Sequence, residues 1–422
     1  MQTYICFLKP KKMIRFTITI LLFFLLPLSS FSQKEWTLEG CIDYAYKNNL
    51  SIKTSQNNLE QSNLNLKESK YGRLPNLNAN GATNNNIGRT IDPFTNQFTT
   101  SNIFNANIGV SAGVTLFSGF TRENTIKDNQ YRFYSSGFDL KKMQDDIGLA
   151  ISNAFLQIIF NQELVKVAIN QVNSTSEQLK QTEALFKSGR IAENALLEIE
   201  AQLANDELAL INAQNSLKLS YVNLWQLMDM EVKEENKIKI PVIDSVTALD
   251  VISPDQIYSA FILRSPALKS AEALVKSAEY RLKTAKGSAY PTLSARYNLS
   301  SVYSESFRTP TGYSLLGTQL LYFDQNNNPV TAPFLIPSGF ETNSFSKQIG
   351  DNFGQSFGLS LQIPIFNGLQ VKSNIQRSRI QLEASYLNVQ TAKNTVYKDV
   401  VTAFNEYIAA RSKYESSYKS YK

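Results

Sequence analysis

The sequence of 422 residues has no histidine and only two cysteines, Cys6 and Cys41. Histidine is the commonest general base, and histidine and cysteine are the usual zinc ligands, so the chain lacks the residues on which most enzymes and zinc sites depend. Its carboxylates are scattered along helical patterns, as charges on solvated helix faces usually are. We therefore expect that the protein is not an enzyme and that it holds no metal and no cofactor.

A basic surface suited to nucleic acid is also missing. The formal net charge is +6, but four basic residues and no acidic ones lie in residues 1–32, which leaves +2 for the rest of the chain. That remainder has no block of lysine and arginine, so we expect no nucleic-acid partner. Cys6 lies in the same segment. Without it Cys41 cannot form an intramolecular disulfide, and we expect Cys41 to be a small buried residue.

Residues 1–32 have the pattern of a secretory signal peptide. Four basic residues precede the apolar run from Ile18 to Leu26, and the small residues Ser30 and Ser32 precede Gln33. The run is well short of the roughly 20 residues that span a bilayer, which argues against a transmembrane anchor. We therefore predict that residues 1–32 direct export and are then removed.

Beyond this segment no apolar run reaches membrane-spanning length, but several segments alternate apolar and polar residues. The two clearest, 107–116 and 356–365, each run for about ten residues, the length of a tilted transmembrane strand. Residues 292–299 and 76–81 follow the same pattern more weakly. A soluble β-sandwich alternates in the same way, so the pattern alone leaves both structures open. In the membrane interpretation the lipid-facing residues are Ile108, Val110, Val114, Leu116, Leu359, Leu361 and Ile363.

The chain is internally duplicated. The segment around Pro75 recurs around Pro291, an offset in numbering of 216, and the segment around Phe117 recurs around Phe366, an offset of 249. The second offset persists through the following helical patterns, so the extra length of the second copy lies between its two strands. Such self-similarity indicates an internal structural repeat. The segments between paired strands, 82–104 and 302–353, are rich in Asn, Thr, Ser, Gly and Pro, and we expect irregular surface loops there.

Long helices make up the other half of the pattern. Residues 121–187 contain no proline, and a helix of that length extends about 100 Å. In the following segment leucine recurs every seventh residue from Leu196 to Leu224, which predicts supercoiling against a neighbouring helix. The companion positions include the polar Asp206 and Ser220. Between the two segments Gly189 suits a left-handed helix C-cap, so we predict a long helical hairpin with a sharp turn.

The repeat predicts an α+β protein with four transmembrane strands. Four strands cannot close a membrane barrel, which needs at least about eight, because an open edge in lipid leaves backbone groups unpaired. The chain must then assemble with copies of itself. Two copies would give a narrow eight-stranded barrel and three copies a twelve-stranded one, and closure alone does not choose between them.

Four short motifs occur in order at residues 38–49, 74–77 (LPNL), 116–119 (LFSG) and 186–191 (FKSGRI). Their order, spacing and duplication resemble the TolC family of outer-membrane efflux proteins over nearly the whole chain beyond the signal. The resemblance implies a homotrimeric channel-tunnel: a shared twelve-stranded barrel in the outer membrane, continued into the periplasm by a barrel of helical hairpins.

The same resemblance implies a passive outer-membrane channel that receives substrates from an inner-membrane pump through a periplasmic adaptor, in an efflux or type I secretion system. A periplasmic coiled-coil adaptor is the alternative function, since it would share the helical hairpin. The implied adaptor contact is the periplasmic tip, formed by Lys187, Ser188, Gly189, Arg190 and Ile191. No acidic gate residue is assigned, because the position that is acidic in some family members is Ala195 here. Glu193 and Glu198 are the neighbouring candidates, although a solvated helix face is the usual place of such carboxylates.

This organisation divides the chain into the signal at 1–32, a first repeat at 33–240, a linker at 241–250 and a second repeat at 251–422. By the offset of 249, Lys422 corresponds to Asn173. We therefore expect the second repeat to stop before its own tip turn and return helix.

Overall fold

The computed structural model describes residues 35–91, 96–231, 237–241 and 253–421. The predicted signal and most of the predicted linker lie outside these ranges. The helices are α1 (Leu38–Asn48), α2 (Leu50–Tyr71), α3 (Thr121–Lys187), α4 (Glu193–Leu227), α5 (Pro254–Ile262), α6 (Pro266–Gly287), α7 (Phe345–Asp351) and α8 (Gln370–Tyr421). The strands are β1 (Glu35–Trp36), β2 (Asn76–Ile91), β3 (Phe98–Ser118), β4 (Lys237–Ile238), β5 (Thr292–Ser304), β6 (Arg308–Phe323), β7 (Pro329–Thr342) and β8 (Gly354–Gln362).

Contacts within the chain define two compact units. We call the first the helical unit; its described residues are 35–54, 143–231 and 237–241. We call the second the sheet unit; its described residues are 55–91, 96–142 and 253–421.

The helical hairpin has the bounds that the sequence predicts. The first helix, α3, runs without interruption for 67 residues from Thr121 to Lys187, and α4 returns over 35 residues. Along α4 each leucine of the seven-residue repeat and each companion position is buried or half-buried. The repeat therefore marks the seam against α3, as supercoiled packing requires. None of the helices in the described residues combines the length and the hydropathy needed to cross a membrane.

The core of the helical unit lies where α1 meets α3 and α4. Phe155, Ile158 and Trp225 are almost fully buried there, beside Trp36 from β1. The two short strands β1 and β4 pair in parallel at its border, a contact with no clear sequence signal. Cys41 is fully buried in the same core, as predicted, and burial raises the pKa of its thiol to about 11.

The sheet unit contains a four-stranded antiparallel sheet in the order β2-β3-β5-β8. Its two hairpins share one register. Asn76 lies opposite Gly113 in β2–β3, and Thr292 lies opposite Gln362 in β5–β8. These pairs are related by the same two offsets, 216 and 249, that the sequence repeat shows. Helices α2 and α6, which lead into β2 and β5, each have 22 residues and differ by 216 in number. The duplication is therefore structural.

The prediction of irregular loops at 82–104 and 302–353 is wrong for most of both segments. Strand β2 continues to Ile91 and β3 begins at Phe98, so the first hairpin is far longer than its apolar alternation. The second segment holds the hairpin β6–β7 and the helix α7. Asn-rich and Thr-rich strands are stable here because cross-strand pairing satisfies their backbone groups, and polar side chains on both faces can meet water.

Helix α7 is anchored to the sheet by polar contacts with β5. The Ser301 hydroxyl donates to the Ile349 carbonyl at 2.7 Å, and the Ser304 amide donates to the buried Gln348 side chain at 3.0 Å. The side-chain amide of Asn352 donates a third hydrogen bond, to the Val302 carbonyl at 2.7 Å. This helix therefore covers one end of the sheet near the point where β6 begins.

Candidate functional site

The turn of the helical hairpin closes with a Schellman motif. The Arg190 amide donates to the Leu185 carbonyl at 3.0 Å, and the Gly189 amide donates to the Phe186 carbonyl at 2.8 Å. Gly189 has a φ of +75°, the left-handed conformation that the sequence predicts for it. Such a turn satisfies the last carbonyls of α3 and reverses the chain within five residues before α4 begins at Glu193.

The predicted tip residues are therefore together at one end of the hairpin. Lys187, Ser188, Gly189 and Arg190 are exposed and Ile191 is half-buried. This surface also has an apolar part, which the sequence reasoning did not predict. Leu185, Phe186 and Leu197 are exposed beside the turn. The exposure of Leu197 could have been predicted, since an apolar residue outside the seven-residue seam of α4 faces away from the partner helix. The tip thus offers both polar and apolar side chains to a partner.

The carboxylates near the tip are solvent-facing. Glu193 lies in the first turn of α4 and Glu198 lies one and a half turns further, and both are exposed, as is Ala195 between them. An exposed helix-surface carboxylate has no built surroundings to give it a special role. Among the described residues, no group of three or more His, Cys, Asp or Glu side chains is arranged to hold a metal ion.

A buried carboxylate lies deeper in the seam between α3 and α4. The side chain of Asp206 is 9% exposed, and its Oδ2 accepts from the Thr175 hydroxyl at 2.6 Å and from the Gln171 amide at 3.3 Å. Its Oδ1 accepts from the Gln202 amide at 2.8 Å. The Thr175 hydrogen bond is the main reason that the pKa of Asp206 lies below its usual value, against the opposing effect of burial. The bonds from Thr175 and Gln171 fix the position of α3 along α4, because a shift by one residue would break both and leave the carboxylate with only Gln202 of its own helix.

The apolar residues of all four strands share one face of the sheet. Val110 lies opposite Ala79 on one side and Leu299 on the other, and Leu359 lies opposite Ala295. Residues that pair directly across strands point to the same face, so the separate alternations combine into one surface. Of the residues predicted to face lipid, Ile108, Val110, Leu116, Leu359, Leu361 and Ile363 are exposed and Val114 is half-buried. Their contact with lipid stays a prediction.

Two details differ from the simple alternation. Between Thr115 and Phe117 the strand β3 has a β-bulge, so Phe117 and not Leu116 lies opposite Leu293. A bulge inserts one residue and shifts the face of those that follow, which the sequence period cannot show. The predicted strand through Ile365 is also too long, since β8 ends at Gln362 and Ile363 lies beyond it.

The opposite face of the sheet is polar. A cavity of about 660 Å³ on this face is bordered by Asn78, Ser111, Arg122 and Arg296, together with residues at the end of α2. The Arg122 guanidinium donates to the Thr115 carbonyl at 2.8 Å, which holds its charge beside the polar face. One face of this sheet therefore suits an apolar environment and the other suits water.

A sequence model of the outer membrane efflux protein family matches residues 41–229 and 257–417. The chain is 20% identical over 381 residues to the outer membrane efflux protein BepC of Brucella suis, an alignment that covers 89% of this chain and 71% of BepC. Among solved structures, the CmeC outer membrane channel of Campylobacter jejuni matches with a TM-score of 0.71 at 15% identity, over 90% of this chain and 73% of that one. The outer membrane protein VceC of Vibrio cholerae matches with a TM-score of 0.68 at 11% identity, over 90% of this chain and 81% of that one.

Proposed function

Because this chain belongs to the outer membrane efflux protein family, we propose that it is the passive outer-membrane channel of a tripartite efflux or type I secretion system. Family membership confirms the resemblance to the TolC family and the location in the outer membrane. The channel conducts small molecules or polypeptides from an inner-membrane pump to the exterior. It works as a conduit and not as a catalyst, and the pump supplies the energy.

The observation that carries this function is the two-faced sheet. Its register joins the apolar residues of four strands into one exposed surface, while asparagine, serine and arginine side chains line the other face. A strand in a membrane channel needs this arrangement, because one face meets hydrocarbon and the other meets the aqueous lumen. A soluble sandwich would instead cover the apolar face with a second sheet. Helix α7 and the segment that follows it lie against one end of that face, where Ile349 and Phe353 border Ile108, Val110 and Leu299.

The sheet also supports assembly with copies of the chain. Four strands per chain give twelve in a homotrimer, which closes a barrel with a water-filled interior. The two repeats at 33–240 and 251–422, joined by the linker at 241–250, supply two strands each. The shared register of the two hairpins supports this division.

The tip supports a second contact, with a periplasmic adaptor that links the channel to the pump. The turn from Lys187 to Ile191 is exposed, and it is flanked by the exposed apolar side chains of Leu185, Phe186 and Leu197. A rigid turn with apolar neighbours is suited to docking, because few side chains must be ordered on binding.

Reconstitution tests the function directly. The protein is extracted from the outer-membrane fraction with detergent and added to a planar lipid bilayer, with detergent alone as the control. We expect stepwise increases in ionic conductance as single channels insert. Recovery of the protein from the periplasm without detergent would contradict the channel and favour the adaptor interpretation, and membrane-extracted protein without conductance would contradict a conduit.

A further inference from the structure

The two outer strands of the four-stranded sheet have open edges. Strand β2 pairs only with β3, and β8 pairs only with β5, within the ranges that the structure describes. All nine residues of β8 are exposed. Unpaired backbone groups on a sheet edge bind another strand readily, and in a membrane they must be paired. The identity of the strand that pairs with each edge rests on the proposed channel, because the pairing forms only when copies of the chain assemble.

The chain contains a template for the missing contact. Strand β3 is the last strand of the first repeat and β5 is the first strand of the second, and these two strands pair with Val110 opposite Leu299 and with Thr115 opposite Ser294. The repeat relates β3 to β8 by the offset of 249 and β2 to β5 by the offset of 216. Each pair of the internal junction therefore predicts a pair between β8 of one chain and β2 of the next.

We propose that β8 of one copy pairs antiparallel with β2 of a second copy, in the register that places Leu359 opposite Thr83 of the second copy. In the same register Ser360 lies opposite Ala82 and Leu361 opposite Gly81. The apolar face stays continuous across this junction, because the odd-numbered residues of β8 and β2 both lie on it. A shift by one residue would place apolar side chains of β8 beside the asparagines of β2.

The segment after β8 differs from its counterpart in the first repeat. In the first repeat, β3 continues beyond Gly113 to Ser118, and from Val114 onward β5 is its only strand partner among the described residues. The corresponding residues 363–367 lie outside β8 and have no strand beside them among the described residues. Phe366 is 83% exposed, whereas the equivalent Phe117 is 37% exposed. A strand from a second copy would pair with this segment as β5 pairs with the end of β3.

The turn that follows this segment also differs between the two repeats in what packs against it. Gly119 and Phe120 have φ values of +62° and +61°, and Gly368 and Leu369 have +60° and +63°. The backbone turn is thus the same in both repeats. A Cβ on Gly119 would lie 2.3 Å from the Gly287 carbonyl oxygen, whereas a Cβ on Gly368 would meet no described atom within 4 Å. The Gly119 turn packs against the end of α6, whereas the described residues place no helix end against the Gly368 turn.

The match is not complete at this turn. The offset of 216 places Tyr71 where α6 has Gly287, and a side chain there does not allow the same close approach. The proposal therefore concerns the strand register, and we expect the helix end of the second copy to lie further from Gly368 than Gly287 lies from Gly119.

Disulfide cross-linking in the membrane tests the register. In a chain carrying Cys6→Ser and Cys41→Ala, one variant combines Leu359→Cys with Thr83→Cys and another combines Ser360→Cys with Ala82→Cys. Neighbouring opposite pairs alternate between the two spacings of an antiparallel ladder, about 4.5 and 5.5 Å between Cα atoms, so together they sample both. Each spacing lies within the range that a disulfide spans. The control combines Leu361→Cys with Thr83→Cys, which the proposed register leaves two residues out of line.

We expect most of the protein in at least one of the two registered variants to migrate as covalent oligomers that reduction converts to monomer. The control should remain largely monomeric, while an amine-reactive cross-linker still traps its oligomer. A control that couples as well as the registered variants would overturn the register. Oligomers that the amine-reactive reagent traps but no cysteine pair couples would overturn the β8–β2 contact and leave the channel standing. Absence of any oligomer would overturn both the contact and the proposed assembly.

Discussion

The core of the helical unit and the four-stranded sheet differ in the solvent exposure of their large apolar side chains. Phe155 and Trp225 of the helical unit are each 1% exposed, whereas Leu77 and Leu361 of the sheet are 73% and 61% exposed. The helical unit covers the apolar residues of its core with its own chain, although others on its helices, such as Phe160 and Ile211, are exposed. The sheet gathers apolar residues on one face and leaves most of that face uncovered. An apolar pattern in a sequence thus predicts that a face will be buried, but not by what.

The two units also satisfy polar groups differently. In the helical unit, Asp206 receives three hydrogen bonds from side chains of the same hairpin. In the sheet, the outer edges of β2 and β8 carry backbone groups for which the described residues supply no strand. The core of the helical unit is therefore complete within one chain, whereas the proposed channel requires the sheet to pair with another copy and to face lipid. Four experiments test this contrast.

The largest effect is expected from Trp225→Ala in the core of the helical unit. Trp225 stacks on Tyr221 with ring centres 6.1 Å apart and lies 6.2 Å from Trp36. Removing a large buried side chain costs about 3–5 kcal/mol, so the variant should unfold at lower temperature and expose α4 to trypsin. The matched control is Leu219→Ala, on the exposed side of the same helix. An equal loss from that variant would show that the helical unit also depends on a surface outside its own chain.

The second effect concerns the inequivalent faces of the sheet. Arginine at Val110 would put a charge against hydrocarbon, at a cost of about 2–4 kcal/mol near the middle of the membrane. Arginine at the adjacent Ser111, on the polar face, should be tolerated in the lumen. The pair Leu361→Arg and Ser360→Arg repeats the comparison on β8. The measurement is the amount of assembled protein in the outer membrane, and equal losses on both faces would contradict the barrel.

The third effect is local to the tip. Gly189→Val forces a β-branched residue into the left-handed conformation, which costs about 1–2 kcal/mol from the backbone alone. No described atom lies within 4 Å of an added Cβ, so a clash does not contribute. Adaptor cross-linking should weaken while the amount of membrane-inserted protein stays unchanged. Gly189→Asn is the control, because asparagine tolerates this conformation. If Val and Asn variants cross-link as the original chain does, the docking site lies elsewhere.

The smallest effect is a pH dependence within the hairpin seam. The folded pKa of Asp206 lies below its usual value, so its contribution to stability is present above about pH 4, the ordinary pKa of aspartate, and is lost as pH falls through the lower folded value. Asp206→Asn should reduce the decrease in thermal midpoint on acidification, whereas Glu207→Gln at the exposed neighbour should not. An unchanged acid profile in the Asn variant would show that the ionised carboxylate does not stabilise the seam.

Sequence reasoning was most accurate where structure depends on nearby residues. The bounds of α3, the left-handed Gly189 and the seven-residue seam of α4 follow from helix composition, a C-cap and a period, all of which act over a few residues. The apolar faces of the strands were also predicted. The bulge at Leu116 was not, because it depends on how β3 pairs with β5. The hairpin β6–β7 was mistaken for a loop because turn-forming residues also occur in strands whose backbone groups find partners.

The sequence by itself determined the duplication, its two offsets, the helical hairpin and the four ordered motifs on which the resemblance to the TolC family rests. Only the tertiary structure decided that the separate alternations share one face, that both hairpins have the same register and that β2 and β8 are the open edges. The physical reason is that periodicity is a local property, whereas strand order and register depend on hydrogen bonds between residues far apart in the chain. Pairing across a sheet has to be seen in three dimensions before it can be extended to a second copy.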